Sequence, residues 1–361
     1  MASAPLIVAP EEARGPDPSP RIAWCDASDR SEWDGYVASS EAASLYHVYA
    51  WRDVVERAFG HESHYLCARN AAGRIVGVLP MVRLKSILFG DFLVSMPYFN
   101  YGGIVADDEV IAGALAKAAA RHAASLGVSH LELRHDRALL DWPVRSDKVS
   151  MLLELPDASE ELWKRLGSKL RSQVKRPQKE GATCVSGGIE LLDDFYAVFA
   201  RNMRDLGTPV YGRGFFRHVI ETFHERTRLF VVRLRGAPVA AGLVIGRRSM
   251  LEIPWASSLR SANHVGVNML LYWSVLEYAC DAGYDHFDFG RSTVDAGAYR
   301  FKKQWGATAK SLHWHYWLKH GGKPPTLNPS NPKYRLAIAA WRRLPLWLAN
   351  RIGPRIVRNL P

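Results

Sequence analysis

The feature that most limits what this chain can fold into is a repeat inside it. Residues 126–134, LGVSHLELR, align without gaps on residues 282–290, AGYDHFDFG. Each segment reads as a helix end, a glycine stop, a shared histidine (His130, His286) and an alternating strand with an acid at the same place, Glu132 or Asp288. Upstream of both lie a glycine-bounded hairpin, a loop and a helical stretch, so the pattern predicts two copies of one α/β unit, the first in 22–150 and the second in 151–320. A histidine kept at one topological place in both copies serves the strand rather than a single active site, and we read both histidines as structural.

The second copy is the more detailed. Its run 236–246 (GAPVAAGLVIG) follows a Gly/Pro turn signal and predicts a strand, and 249–259 (SMLEIPWASSL) predicts a second. The loop RSANHVGVN opens a helix over 269–283 that is apolar on much of its circumference, and DHFDFGRS follows as a short strand. DAGAYRFKKQWGA then sets Lys302 and Lys303 among aromatics before a last alternating strand, 311–318. At the strand-to-helix joint the backbone N–H groups of Val265, Gly266 and Asn268 are candidates for an anion site, because the first turn of a helix leaves its N–H groups unpaired. The alternative is an ordinary helix entry capped by Asn263 or Asn268.

In the first copy, 44–60 predicts a helix with Tyr49, Val54, Val55 and Phe59 inward, followed by a hairpin around the AAGR turn and a long alanine-rich helix over 109–126. Between hairpin and helix, Tyr98, Asn100, Tyr101, Gly102 and Gly103 form a loop. It is either a turn anchored by buried tyrosines, which glycine pairs favour, or a loop lining substrate; on the second reading Tyr101 is a substrate-binding candidate.

Between the copies, 158–181 places Leu162, Leu166, Leu170 and Val174 on one helical stripe, with Lys164, Arg165, Lys169, Arg171, Lys175, Arg176 and Lys179 around it and Pro177 ending or kinking the helix. Such a basic surface is either a solvated face or a phosphate contact. Two helices joined by LGTPVYG follow, and this turn offers Tyr211 and Arg213 to a cleft. A formal net charge of +11 with pI ≈ 9.5 calls for an anionic partner: nucleic acid, a phosphorylated carrier or an anionic membrane face. The four cysteines fit no zinc spacing and suggest a reduced, cytoplasmic setting. No run of apolar residues is long enough to span a bilayer. Residues 1–21 read as a flexible, proline-rich leader and 321–361 as a basic Trp/Pro-rich extension. There Trp341, Leu344, Trp347, Leu348 and Ile352 either pack on the second unit or meet anionic lipid at the inner membrane.

LRSQVKR, LGTPVYGRGFF, DFGRS and above all AYRFKKQWGA, in this order and with the repeat around them, resemble the FemAB family of aminoacyl and acyl transferases, in particular its branch associated with exosortase/PEP-CTERM exopolysaccharide systems. The resemblance covers nearly the whole chain from about residue 22. It implies an α/β (α+β) chain of two tandem GNAT-like domains, with mixed central sheets flanked by helices and the active site in the second. It further implies that Lys302 or Lys303 lies near the transferred acyl group, that Arg171 and Lys175 approach an acceptor phosphate, and that Tyr211 faces the acceptor. Arg291 and Tyr299, inside the same motifs, complete the substrate-binding candidates, and the Val265–Asn268 turn stands where GNAT enzymes hold a pyrophosphate.

The expected activity is amide formation on an amino sugar or peptide in envelope or exopolysaccharide synthesis, by direct attack of an amine on acyl-CoA or aminoacyl-tRNA. No permanently bound cofactor and no metal are expected. Asp288 and Asp295 are the candidates to accept the amine proton, although Asp288 equally suits a cap or a pair with Arg291. The chain lacks the coiled-coil insertion that some family members use for tRNA, which brings acyl-CoA level with tRNA as donor. Two other readings stay open: a tRNA-dependent peptidyl transferase acting on a cell-wall precursor, and a non-catalytic protein of an exopolysaccharide system that binds lipid-linked saccharide or nucleic acid.

Overall fold

A computed structural model describes residues 20–325 and 332–360. The expected leader therefore lies almost wholly outside the described residues, as does the centre of the Pro/Asn segment that precedes the extension. The first unit runs β1 (Arg21–Trp24), α1 (Arg30–Ser39), α2 (Ala50–Phe59), β2 (Glu62–Arg69), β3 (Ile75–Ser86), β4 (Gly90–Val94), β5 (Val105–Ala106), α3 (Glu109–Leu126), β6 (His130–His135) and β7 (Val144–Arg145). The second runs β8 (Lys148–Glu154), α4 (Ser159–Arg165), α5 (Ser168–Lys179), β9 (Ala182–Gly187), α6 (Leu192–Leu206), α7 (Arg213–Thr222), β10 (Thr227–Leu234), β11 (Ala237–Arg247) and β12 (Met250–Ser258). It continues through α8 (Val267–Asp281), β13 (His286–Thr293), α9 (Gly297–Lys303) and β14 (Thr308–Ser311). Last come β15 (His313–Leu318), α10 (Pro332–Trp341) and α11 (Leu346–Val357).

Among the described residues the strands form two mixed sheets, β1-β2-β3-β4-β6-β15-β7 with β5 on β3, and β14-β8-β13-β12-β11-β10-β9. The repeat is real in three dimensions. In each unit a strand, a helix and a second strand close a parallel pair, β4 with β6 and β12 with β13. The sheets do not, however, divide the chain at the expected 150/151. β8 already belongs to the second sheet, and β15 returns to the first, pairing along the whole of β6 from His313↔His135 to Leu318↔His130. Without β15 the open edge of β6 would leave a row of unpaired N–H and C=O groups in the middle of the sheet.

The helices follow their apolar stripes. α3 starts at Asp108, whose carboxylate accepts from the Ile111 N–H, and stops at Gly127 in the left-handed region. The basic stretch between the copies is two helices broken at Gly167, with Leu162, Leu166, Leu170 and Val174 buried. α5 runs on to Lys179 through Pro177, so the proline neither ends nor splits it before its last turn.

One apolar cluster joins the units, with Trp33, Tyr46 and Trp51 of the first packed among Phe195, Phe216 and Trp255 of the second. The C-terminal helices pack rather than float. Ala349 and Val357 are buried, Arg204 donates to the Leu344 carbonyl at 2.9 Å, and Tyr98 and His61 of the first unit reach the Arg358 carbonyl. Leu336 and Trp347 are left 74% and 68% exposed. No helix of the described residues is long and apolar enough to cross a membrane.

Candidate active site

The site is set by where two parallel strands stop pairing. β12 and β13 are in register over Met250↔His286, Leu251↔Phe287 and Glu252↔Asp288 only, and then part, although each continues for several residues. Gly290, at φ +75°, sits in the register shift between Asp288 and Arg291 that turns β13 away. The opening is a cavity of about 370 Å³ lined from both units, by Asn100 and Tyr98 on one side and Glu252, Trp255, Tyr272, Gly290, Arg291 and Lys302 on the other.

Beneath it lies a buried set of charges. Lys302, on α9, is 7% exposed and donates to the carbonyls of Gly290 (2.8 Å) and Arg291 (3.0 Å). Burial lowers its pKa to about 8, against the opposing pull of Asp288 and Glu252. Asp288 accepts from the Ser150 hydroxyl, the Tyr101 hydroxyl and the Gly290 N–H, each at 2.7 Å. Glu252 accepts from the Tyr46 hydroxyl at 2.7 Å. Burial and the facing Asp288 carboxylate push Glu252 well above the usual carboxyl range, and burial also raises Asp288 against its three donors. Both tyrosines come from the first unit, so each half of the chain supplies part of one site.

The structure separates the sequence candidates. Lys302 faces the cavity, whereas Lys303, the next residue of the helix, is exposed with its ammonium 5.9 Å from the Tyr299 ring centre, on the far side of α9. Tyr211 lines the cavity, and its burial raises the hydroxyl to about 12. Arg291 lines it too: it is reached by solvent through the opening, yet burial in the concave wall, with Arg134 nearby, lowers it to about 10. Tyr101 touches Asp288 rather than the cavity, and Asp288 itself lies below the lining. Asp288 is held by the three hydrogen-bond donors and is not paired with Arg291. Asp295 is exposed at φ +61° on the turn before α9.

Three basic candidates stand apart from this cavity. Arg213 is tied to Asp193 at the surface, Lys175 stacks its ammonium on Trp163 at 5.6 Å, and Arg171 lies half-buried on α5. At the entry of α8 the N-cap is Gly266 at φ +86°, with no side-chain cap, so neither Asn263 nor Asn268 caps the helix. The N–H groups of Val267 and Asn268 find no acceptor among the described residues, while Val265 and Gly266 donate back into the preceding turn. His130 and His286 are the first residues of β6 and β13. No cluster of metal-ligating side chains occurs among the described residues.

Sequence reasoning missed Glu252, Tyr46 and Ser150. A signal for Glu252 was present: a lone acid inside the apolar run MLEIPW, which a strand buried on both faces does not tolerate without a partner. Nothing local marks Tyr46 or Ser150, because their roles arise from contacts 206 and 138 residues away.

Residues 167–303 match the family described as an acetyltransferase (GNAT) domain. No curated protein matches the chain. Among solved structures, FemX is similar over 88% of this chain and 100% of its own at 14% identity and TM-score 0.63. L-PGS from Bacillus licheniformis covers 92% of this chain and 100% of its own at 13% identity and TM-score 0.54. A tandem GNAT protein from the clavulanic acid biosynthesis pathway covers 84% and 100% at 13% identity and TM-score 0.52. Together with the two sheets and their parallel strand pairs, these likenesses establish the fold of this chain as two GNAT-like units in tandem.

Proposed function

We propose that the protein is an acyltransferase that joins the amine of an amino sugar or peptide to the acyl group of an activated donor, in the FemAB manner, within cell-envelope or exopolysaccharide synthesis. The observation that carries this reading is Lys302 at the parting of β12 and β13, with Glu252 beside it. Two of the three ammonium N–H groups of Lys302 are fixed on backbone carbonyls, which leaves the third for a carbonyl oxygen of the donor. The acceptor nitrogen attacks the acyl carbon, a C–N bond forms, and the negative charge on oxygen is met by that N–H. As the tetrahedral species collapses, the bond to the donor's sulfur or oxygen breaks, and that atom leaves with the electron pair and takes a proton from solvent. The proton of the amine passes to Glu252, whose raised affinity for protons makes it a stronger base than an ordinary carboxylate. No covalent enzyme intermediate is needed, because the donor arrives activated.

The free N–H groups of Val267 and Asn268 suit the pyrophosphate of an acyl-CoA co-substrate. A specific observation also favours the tRNA reading: Lys164, Arg165, Lys169, Lys175, Arg176 and Lys179 are all exposed on α4 and α5. Incubating the chain with acyl-CoA or with charged tRNA, each with an amine acceptor, separates the two. Loss of product after RNase treatment assigns tRNA, product from acyl-CoA alone assigns the thioester, and no amide from either donor defeats the proposal.

A further inference from the structure

A second cavity, of about 410 Å³, opens on the other side of Arg291, against the first sheet. Four cations line it, Arg134, Arg145, Lys148 and Arg291, facing only two carboxylates, Glu132 and Asp147. Their commitments differ. Arg134 is buried, paired to Glu132 at 2.7 Å and bonded to the Phe99 carbonyl. Arg145 and Lys148 share one carboxylate, Asp147, each at 3.1 Å; Arg145 also donates to the Pro325 carbonyl at 3.2 Å and Lys148 to the Thr293 hydroxyl at 2.8 Å. Arg291 has no carboxylate and no hydrogen-bond acceptor among the described residues; its guanidinium lies 4.9 Å from the ring centre of Trp314. His130, also in the wall, adds no charge near neutral pH, since burial lowers its pKa. The Oδ1 atom of Asn359, at the C-terminal rim, is buried without a donor. A concave wall with two surplus positive charges, a guanidinium without a carboxylate partner and an unmet amide oxygen is complementary to an anion that also carries hydroxyls.

We infer that this cavity binds the phosphate ester of a hydroxylated ligand, with Arg291, Arg145 and Lys148 on the phosphate oxygens and the Asn359 amide on a hydroxyl. Arg291 lines both cavities, so a ligand held here lies next to the cavity of Lys302. In that respect the inference rests on the proposed function, for it makes the ligand the acceptor. The phosphate is that of a soluble sugar phosphate or of a lipid headgroup. Ile87 and Leu88, which are 106% and 82% exposed on the β3–β4 turn beside Phe89 of the rim, give lipid a foothold.

The test is calorimetric titration of the full chain with glucosamine 6-phosphate and with glucosamine, in wild type, Lys302→Met, Arg291→Gln and the double variant Arg145→Gln/Lys148→Gln, each checked by thermal melting. The expected result is binding of the phosphate ester at least about tenfold tighter than the free sugar, kept in Lys302→Met and lost in the other two variants. Equal binding of the two sugars by wild type, or a preference unchanged in both cation variants, overturns the inference. Vesicles of phosphatidylcholine with phosphatidic acid identify the source of the phosphate. Displacement of the sugar phosphate by vesicles, abolished by Ile87→Asp/Leu88→Asp, assigns a lipid; binding of the sugar phosphate that vesicles do not displace assigns a soluble acceptor. Tight binding without acyl transfer would sink the proposed function and leave this site standing. Transfer with no preference for a phosphorylated amine would do the reverse.

Discussion

The two copies of the repeat place an acid at the same point of the same strand and use it in opposite ways. In the first unit Glu132 faces Val94 across the parallel pair, and two residues on stands Arg134. The arginine binds Glu132, and its other arm reaches the Phe99 carbonyl, so the point where β4 and β6 would part is plugged by the loop after β4. Burial pushes Glu132 up, but Arg134 and the Tyr316 hydroxyl outweigh it and hold the group below the usual carboxyl range. In the second unit Glu252 takes the place of Val94 and Gly290 that of Arg134. Two carboxylates now face each other with no arginine between them, and the space the guanidinium would fill is open. One copy neutralises its acid in an Arg134–Glu132 pair that walls the second cavity, and the other leaves two carboxylates facing each other below the first cavity; a few residues make the difference.

The comparison is broken most directly by Lys302→Met. Losing the ammonium fixed at the opening is expected to lower transfer by roughly 10²–10³-fold, read as kcat, with the native circular dichroism spectrum retained. Lys303→Met, on the outer side of α9, is expected to leave kcat within about twofold, as befits a surface residue. Gly290→Arg copies the first unit into the second. It should abolish donor binding by titration, while the left-handed backbone at this glycine adds roughly 1–2 kcal/mol of destabilisation. The reciprocal change, Arg134→Met, leaves Glu132 buried without its countercharge and is expected to cost about 3–5 kcal/mol in denaturant unfolding.

A smaller effect sharpens the comparison through pH. Lys302 loses its proton at about 8 when folded, well below its value in the unfolded chain. Between about pH 8 and the ordinary lysine range the unfolded chain binds the extra proton, so stability rises with pH across that window and is lowest below it. Lys302→Met should flatten that rise. Activity moves the other way on the alkaline side: an ammonium that stabilises an oxyanion gives a rate that falls as pH passes about 8. A rate that rises there would make Lys302 a base instead. Glu252→Gln should lower kcat about 10²-fold and remove the acid limb of the same profile.

Much of the fold was legible in the sequence because it is local. Periodicity placed α3 at Glu109–Leu126 and the glycine stop at Gly127, and the shared HLELR/HFDFG pattern revealed the duplication. The return of β15 to the first sheet was not legible, since an alternating strand carries no mark of which edge it joins. The site was legible in part. AYRFKKQWG pointed to Lys302, but adjacent lysines on a helix differ by about 100° in direction, and only the packing of α9 decides which turns inward. Asp288 was seen and its carboxylate partner was not. Glu252 gains its meaning from strand register, and Tyr46 and Tyr101 from the docking of one unit on the other. Tyr46→Phe and Tyr101→Phe measure that docking's share, with an expected loss of a few-fold in kcat and a shifted acid limb for Tyr46→Phe.

The measurement that bears most directly on the central claim is a crystal structure of the chain with a non-hydrolysable acyl-CoA analogue or an acyl-tRNA mimic. The account predicts the acyl oxygen within about 3 Å of the Lys302 ammonium, with the acyl group between β12 and β13. An acyl group bound elsewhere, with no ligand atom near the Lys302 ammonium, would contradict it.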